Sequence, residues 1–261
     1  MGQSWALVTG ASSGIGKEYA RILAAKNYSI VLVSNQEDAC QQCALEISNT
    51  FGVATKTLII DLAKQNSAQR VFDFCVAEQL KIDVLVNNAG VFFWKLFIEA
   101  DIDKIQTMIN LHIYTATMLC RLFAKSMQEN GYGYILNVSS ICAWMNYPTI
   151  SIYGASKSYL KSFSTSLHYE MKPYGVSVCH VAPGAVNTPL YGMKEKTRQR
   201  LCSWHIMLTP HQVAQKGIRG LFKGKKVVVP GRINWIFIMF VSIVPIFIID
   251  FLRKKIYHSS I

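Results

Sequence analysis

Tyr153-Gly-Ala-Ser-Lys157 sets a phenol and an ammonium four residues apart, and helical spacing puts both on one face. A free tyrosine, with a pKa of about 10, is a poor base at neutral pH. A neighbouring lysine cation stabilises the phenolate and brings it toward the working range. Ser140 stands thirteen residues before the tyrosine, just past the apolar run at residues 134–138. From there its hydroxyl could hold a substrate oxygen beside the phenol. A Y-x-x-x-K pair by itself is read more simply as two exposed residues on an amphipathic helix, so this chemistry needs a second motif.

Thr9-Gly10-Ala11-Ser12-Ser13-Gly14-Ile15-Gly16 supplies it. The loop follows the first β-branched run directly and opens the first helical pattern, the strand–turn–helix setting of a dinucleotide loop. Gly10 permits the tight turn, Gly14 lets backbone approach a pyrophosphate, and Gly16 allows close helix–strand packing. The free N–H groups and positive dipole end of the helix suit phosphate. A carboxylate at the end of the second strand would bind the ribose 2′-hydroxyl of NAD and repel a 2′-phosphate. This chain has Ser34-Asn35 there, and no acid before Glu37. Ser12, Ser34 and Asn35 can all donate to a 2′-phosphate, although no arginine stands ready as a bidentate clamp. NADP is the favoured cofactor and NAD the alternative.

These residues resemble the short-chain dehydrogenase/reductase family over residues 4–230. The shared motifs are Thr9 to Gly16, Asp61, Asn87-Asn88-Ala89-Gly90, Asn110, Ser139-Ser140, Tyr153-x-x-x-Lys157, and Pro183-Gly184 with Thr188, in the family's order and spacing. The resemblance implies a Rossmann-type, doubly wound parallel sheet and interconversion of a ketone and a secondary alcohol. It implies a catalytic set of Asn110, Ser140, Tyr153 and Lys157, with hydride exchanged at the nicotinamide C4. Protons would pass through Tyr153, a ribose hydroxyl, Lys157 and a water held near Asn110. Gly10, Ser12, Ser13, Gly14, Ile15 and Gly16 would cradle the cofactor, with Ser34 and Asn35 at the ribose. Asp61 and Leu62 would meet the adenine, and Asn88, Ala89 and Gly90 the adenosine side. Pro183, Gly184, Val186 and Thr188 would bracket the nicotinamide. Asn35 departs from the arginine that NADP-using relatives often carry, which bears on the cofactor and not on the chemistry.

The elements that must position these residues can be read from apolar patterning. Strands are expected at residues 5–9, 29–33, 55–60, 84–86, 134–138, 177–181 and 226–229. Helical patterns lie at 15–25, 39–48, 67–79, 102–128 and 153–171. Short apolar runs alternating with helices imply an α/β fold whose parallel sheet is covered on both faces. Thr209-Pro210 reads as an N-cap followed by proline at the first helical position, opening a helix to about Phe222. No repeat or linker divides the chain, so residues 1–231 are read as one catalytic domain. Residues 232–261 form an apolar C-terminal segment that associates with a membrane or a second copy.

Lys plus Arg exceed Asp plus Glu by 12. The basic residues concentrate late in the chain and are not interleaved with stacking aromatics, so a membrane surface is expected and nucleic acid is not. The seven cysteines are an odd number scattered through apolar stretches, and no secretory signal precedes Trp5. Reduced thiols and a cytoplasmic, peripherally membrane-associated protein are expected. Cys40-Gln-Gln-Cys43 has the spacing of a redox or metal pair, but without a second ligand pair no metal is expected.

Residues 189–205, the substrate lid implied by the resemblance, hold Leu190, Tyr191, Met193, Leu201 and Trp204 with few acids, followed by Ile206 and Met207. Such residues suit a bulky lipophilic ligand or ordinary packing equally. The apolar run at 233–249 falls short of a spanning helix and contains Pro245; basic residues flank both ends, including Arg253, Lys254 and Lys255. An interfacial anchor fits better than a span, and a buried dimer-forming extension is the alternative. Hydroxysteroid dehydrogenases of this family resemble the chain in pairing a lipophilic lid with an apolar C-terminal segment. A steroid is therefore the expected substrate, with a 3-ketoacyl or 3-ketosphinganine-type lipid next. A non-catalytic NADP-binding sensor or scaffold is the reading from another class, and the intact catalytic set argues against it.

Overall fold

The computed structural model describes residues 3–241 except 146 and 205. Seven strands run β1 (Trp5–Thr9), β2 (Ser29–Ser34), β3 (Thr55–Ile59), β4 (Ile82–Asn87), β5 (Gly133–Val138), β6 (Val176–Val181) and β7 (Val227–Val228). All pair in parallel, in the order β3-β2-β1-β4-β5-β6-β7. The expected strands are all present. Helices α1 (Gly14–Ala24), α2 (Glu37–Phe51) and α8 (Pro210–Phe222) cover one face, and α3 (Ser67–Ala77), α5 (Ala116–Asn130) and α6 (Ser151–Met171) cover the other. The remaining α-helices among the described residues are α4 (Ile102–Ile109), α7 (Glu195–Ser203) and α9 (Arg232–Val241).

Each central strand is buried along its length because alternate side chains enter two different cores. Ala6, Val8, Ile30, Leu32, Leu136 and Cys179 pack under α1, α2 and α8. Leu7, Val31, Leu85, Ile135 and Val178 pack under α3, α5 and α6. The chain reverses direction across the sheet between β3 and β4, so β1 and β4 are neighbours with a crevice at their carboxyl ends. Register delivers the site: Thr9 pairs with Val33 and Val8 with Val86, which brings the loops after β1, β2 and β4 to one edge.

The continuous helix expected at 102–128 is not what forms. A π-helical turn, Asn110–Thr115, separates α4 from α5. Hydrophobic spacing cannot reveal the extra residue of an i→i+5 turn, and such turns cluster at functional sites. Thr209 caps α8 in a reciprocal capping box with Gln212, with Pro210 at the first helical position. No helix among the described residues is long and apolar enough to cross a membrane. Residues 242–249 of the apolar segment and the basic cluster at 253–255 lie outside the described residues.

Candidate active site

A cleft of about 410 Å³ opens at the carboxyl edge of the sheet. Its floor is the glycine-rich loop, laced to the loop after β4. Asn88 N and Ala89 N both donate to Thr9 Oγ1, at 2.9 and 3.0 Å, and Asn88 Nδ2 donates to Thr9 O at 2.9 Å. Gly10 has φ +65, and a Cβ there would stand 3.0 Å from the Ala89 Cα, so conformation and space both require glycine. A Cβ on Gly16 would fall 2.0 Å from the Gly10 carbonyl oxygen. Gly16 therefore serves helix–strand packing, and it does not line the cleft. Ser13 caps α1 without a side-chain bond. The loop and the first residues of α1 present backbone to the cleft, as a pyrophosphate needs.

On the ribose side, Ser34 Oγ donates to Ser12 Oγ at 3.0 Å and Ser12 Oγ donates to Gln36 Oε1 at 3.2 Å. Ser34, Asn35 and Gln36 line the cleft, and no carboxylate does so at this corner. The volume, the bare glycine cradle and this polar corner fit a dinucleotide.

The opposite wall carries the phenol and ammonium. Both lie in the first two turns of α6 and are buried. Lys157 Nζ donates to the Val138 carbonyl at 3.0 Å and sits 5.6 Å from the Tyr153 ring centroid. Burial pushes the Lys157 ammonium down to about 8. The Tyr153 ring packs edge-on against Phe92, centroids 4.9 Å apart. Ser140 Oγ faces the same cleft and accepts from Cys142 N at 3.2 Å. Ser139 Oγ donates to the Lys157 carbonyl at 2.8 Å, which ties the end of β5 to α6.

Nearly all the residues expected at the site converge on this cleft. Gly10, Ser12, Ser13, Gly14, Ile15, Ser34, Asn35, Asp61, Leu62, Asn88, Ala89 and Gly90 line it, and Ser140, Tyr153, Lys157, Pro183, Gly184, Val186 and Thr188 complete the wall. Asn110 stands apart: its Nδ2 donates to the Ala63 carbonyl at 3.0 Å, and its Oδ1 accepts from Gln106 at 2.8 Å. Leu190 of the lid segment also reaches the cleft. Helix α7 buries none of its residues, Trp204 and Ile206 are exposed, and Met207 is buried.

Sequence reasoning missed His112. Val91 N–H donates to its Nε2 at 3.0 Å, so the proton is on Nδ1, which donates to Ser156 Oγ at 2.9 Å. Ser156 Oγ in turn donates to the Tyr153 carbonyl at 2.8 Å. His112 is neutral: burial, then the Lys157 charge, hold it well below the usual imidazole range. It joins the loop after β4 to the turn that carries the phenol. Its placement depends on the π turn, and no periodic pattern signals that. The Cys40 and Cys43 thiols are core residues, donating to the Leu32 and Ala11 carbonyls. Burial pushes Cys40 up to about 11, far from a reactive thiolate. Among the described residues no group of three or more His, Cys, Asp or Glu is arranged to hold a metal ion.

The family model of the short chain dehydrogenases matches residues 4–199. The chain belongs to that family. It is similar to a very-long-chain 3-oxoacyl-CoA reductase of Anas platyrhynchos, 38% identical over 193 residues, covering 72% of this chain and 61% of the relative. A hydroxysteroid dehydrogenase-like protein 1 of Gallus gallus is 34% identical, covering 75% of this chain and 60% of the relative. The chain thus spans about three fifths of the length of these curated relatives. Among solved structures, a short-chain dehydrogenase from Sphingobium yanoikuyae in complex with NADPH superposes with a TM-score of 0.79. It is 26% identical, with 88% of each chain covered. The short-chain dehydrogenase fold of this chain is a single seven-stranded parallel sheet between two helical layers.

Proposed function

We propose that this short-chain dehydrogenase interconverts a ketone and a secondary alcohol on a lipophilic substrate, with NADP(H) preferred over NAD(H) and a steroid as the leading substrate class. The observation that carries the reading is the buried Lys157 ammonium, fixed on the Val138 carbonyl and 5.6 Å from the Tyr153 ring, with Ser140 on the same wall. In the reductive direction Tyr153 Oη gives its proton to the ketone oxygen, and Ser140 Oγ donates a hydrogen bond to that oxygen. Lys157 stabilises the phenolate left behind, which regains its proton from solvent. A nicotinamide, when bound, supplies the hydride. Phe92, packed edge-on against the phenol, keeps water from one side of it. Asn110 opens the π turn that carries His112.

The NADP preference is supported by the corner formed by Ser12, Ser34, Asn35 and Gln36, which offers donors and no carboxylate, and by the NADPH-bound relative. The lipophilic substrate is supported by Leu190 at the cleft and by the names of both curated relatives. A 3-oxoacyl thioester is the second reading, favoured by the likeness to the reductase of Anas platyrhynchos. Peripheral attachment to a membrane surface belongs to the same proposal: α9 exposes Ile233, Trp235, Ile236, Met239 and Phe240.

The test is NADPH and NADH oxidation against a panel of keto-steroids and 3-oxoacyl thioesters. Turnover with NADPH on a keto-steroid supports the main reading, and turnover on the thioesters alone moves the assignment to the second. No turnover on either class contradicts both.

A further inference from the structure

The Pro183–Gly184 turn has one side in the cleft. Its other side is covered by α9. A Cβ added at Gly184 would meet Asn234 Oδ1 at 2.4 Å and its Cγ and Nδ2 at 2.9 Å, so the amide occupies the space any larger residue would need. Gly231 has φ +92, and a Cβ there would stand 3.1 Å from Asn234 Nδ2. That nitrogen donates to the Pro230 carbonyl. The Asn234 amide is therefore seated against two glycines, one in the site turn and one at the entry to its own helix. Four residues on, Ile238 shares the inward face and is buried with Ala182 and Val229, beside Ile141 and Trp144. Those last two belong to the turn that follows Ser140.

We infer that Asn234 is a positioning residue, through which α9 braces the Pro183–Gly184 turn on the nicotinamide side of the cleft. The inference rests on the reading of that cleft as a nicotinamide site. Glycine is the least restrained backbone, and a turn left without its packing partner samples conformations other than the binding one. The cofactor would then meet a site that is no longer preorganised. A resemblance to family motifs assigns Gly184 to the cofactor alone; the structure gives the same residue a second partner fifty positions away.

A double-mutant cycle tests the brace. NADPH dissociation constants are measured by quenching of intrinsic fluorescence for wild type, Asn234→Ala, Gly184→Ala and the double variant. Asn234→Ala is expected to weaken NADPH by about tenfold, and Ile236→Ala, on the exposed face of α9, to leave it unchanged. Gly184→Ala weakens it further, and the double variant binds at least as well as Gly184→Ala, because the methyl occupies space the amide has left. Asn234→Ala within about twofold of wild type, or penalties that simply add, overturn the brace. Thermal unfolding of the same four proteins without cofactor is the second readout, and non-additive Tm shifts are expected. If wild type binds no NADPH, the cleft reading fails, and the unfolding cycle alone decides the brace: coupled shifts support it and additive shifts overturn it.

Discussion

The wall that carries Tyr153 and the two helices α7 and α9 differ in how their side chains are held. On the wall, Lys157, His112, Ser139 and Ser156 are buried, and each makes a hydrogen bond that crosses from one element to another or fixes the turn of Tyr153. In the second region α7 buries nothing, and Trp204, Ile206, Trp235 and Phe240 are exposed. Asn234 and Ile238 are inward contacts of α9 among the described residues. In the proposed reaction proton transfer tolerates little displacement, and these hydrogen bonds across elements hold the wall in place. A surface that receives an apolar ligand or a bilayer has to keep apolar area in solvent until the partner arrives. The two regions should therefore answer to different perturbations.

The largest separation is expected from Tyr153→Phe. General acid–base catalysis contributes about 10²–10⁴-fold, so kcat should fall by about 10³ while the NADPH dissociation constant stays within about threefold. A phenylalanine variant that keeps a tenth of wild-type kcat would remove Tyr153 from its role.

Acid stability comes next. Burial pushes His180 down to about 4, and among the described residues neither of its ring nitrogens has a hydrogen-bond partner. A histidine whose folded pKa is depressed contributes stability above its unfolded pKa of about 6.5, and that contribution is lost as pH falls toward about 4. The loss reaches about 3 kcal/mol. His180→Leu should flatten the dependence of Tm on pH across this window; an unchanged slope would assign the acid sensitivity to other groups.

The wall also sets a pH profile. The proposed reduction uses the Lys157 ammonium, and burial puts that group at about 8. kcat/KM for ketone reduction in the enzyme should therefore fall as pH rises through about 8, approaching tenfold per unit. A profile flat from pH 7 to 9 would show that the charge is not used.

How much of this was legible in the sequence depends on whether the signal is local. All seven strands could be read because apolar runs between helices have no other packing solution. The glycine loop and the Tyr153/Lys157 pair carry their chemistry within a few residues. His112 could not be found, because only the extra residue of the π turn brings it to Val91 and Ser156. Asn234 could not be found either, since its contact with Gly184 joins residues fifty apart with no periodic relation. The apolar segment read as separate from the catalytic domain begins with a helix that packs Ile238 on Ala182 and Val229, a contact no composition change announces.

Two smaller effects sharpen the contrast. Asn35→Asp places a carboxylate where a 2′-phosphate would sit, and should shift the NADPH/NADH preference by about tenfold toward NADH. Equal dissociation constants for the two cofactors in wild type would defeat the premise. On the other region, Trp235→Ala with Phe240→Ala should weaken co-sedimentation with anionic vesicles several-fold. Fully burying each side chain is worth about 1.5–3 kcal/mol, and an interface buries only part of it. NADPH affinity should not move. Wild-type protein that stays in the supernatant with vesicles would contradict membrane attachment.

The most direct measurement is single-turnover oxidation of NADPH mixed with a keto-steroid, followed by absorbance in wild type and Tyr153→Phe side by side. A rapid loss of NADPH absorbance is expected in wild type. In the variant saturable NADPH binding is expected, with a rate lower by about 10³. Equal rates in the two proteins would contradict the proposed reaction, as would a wild type that binds NADPH and leaves every lipid ketone untouched.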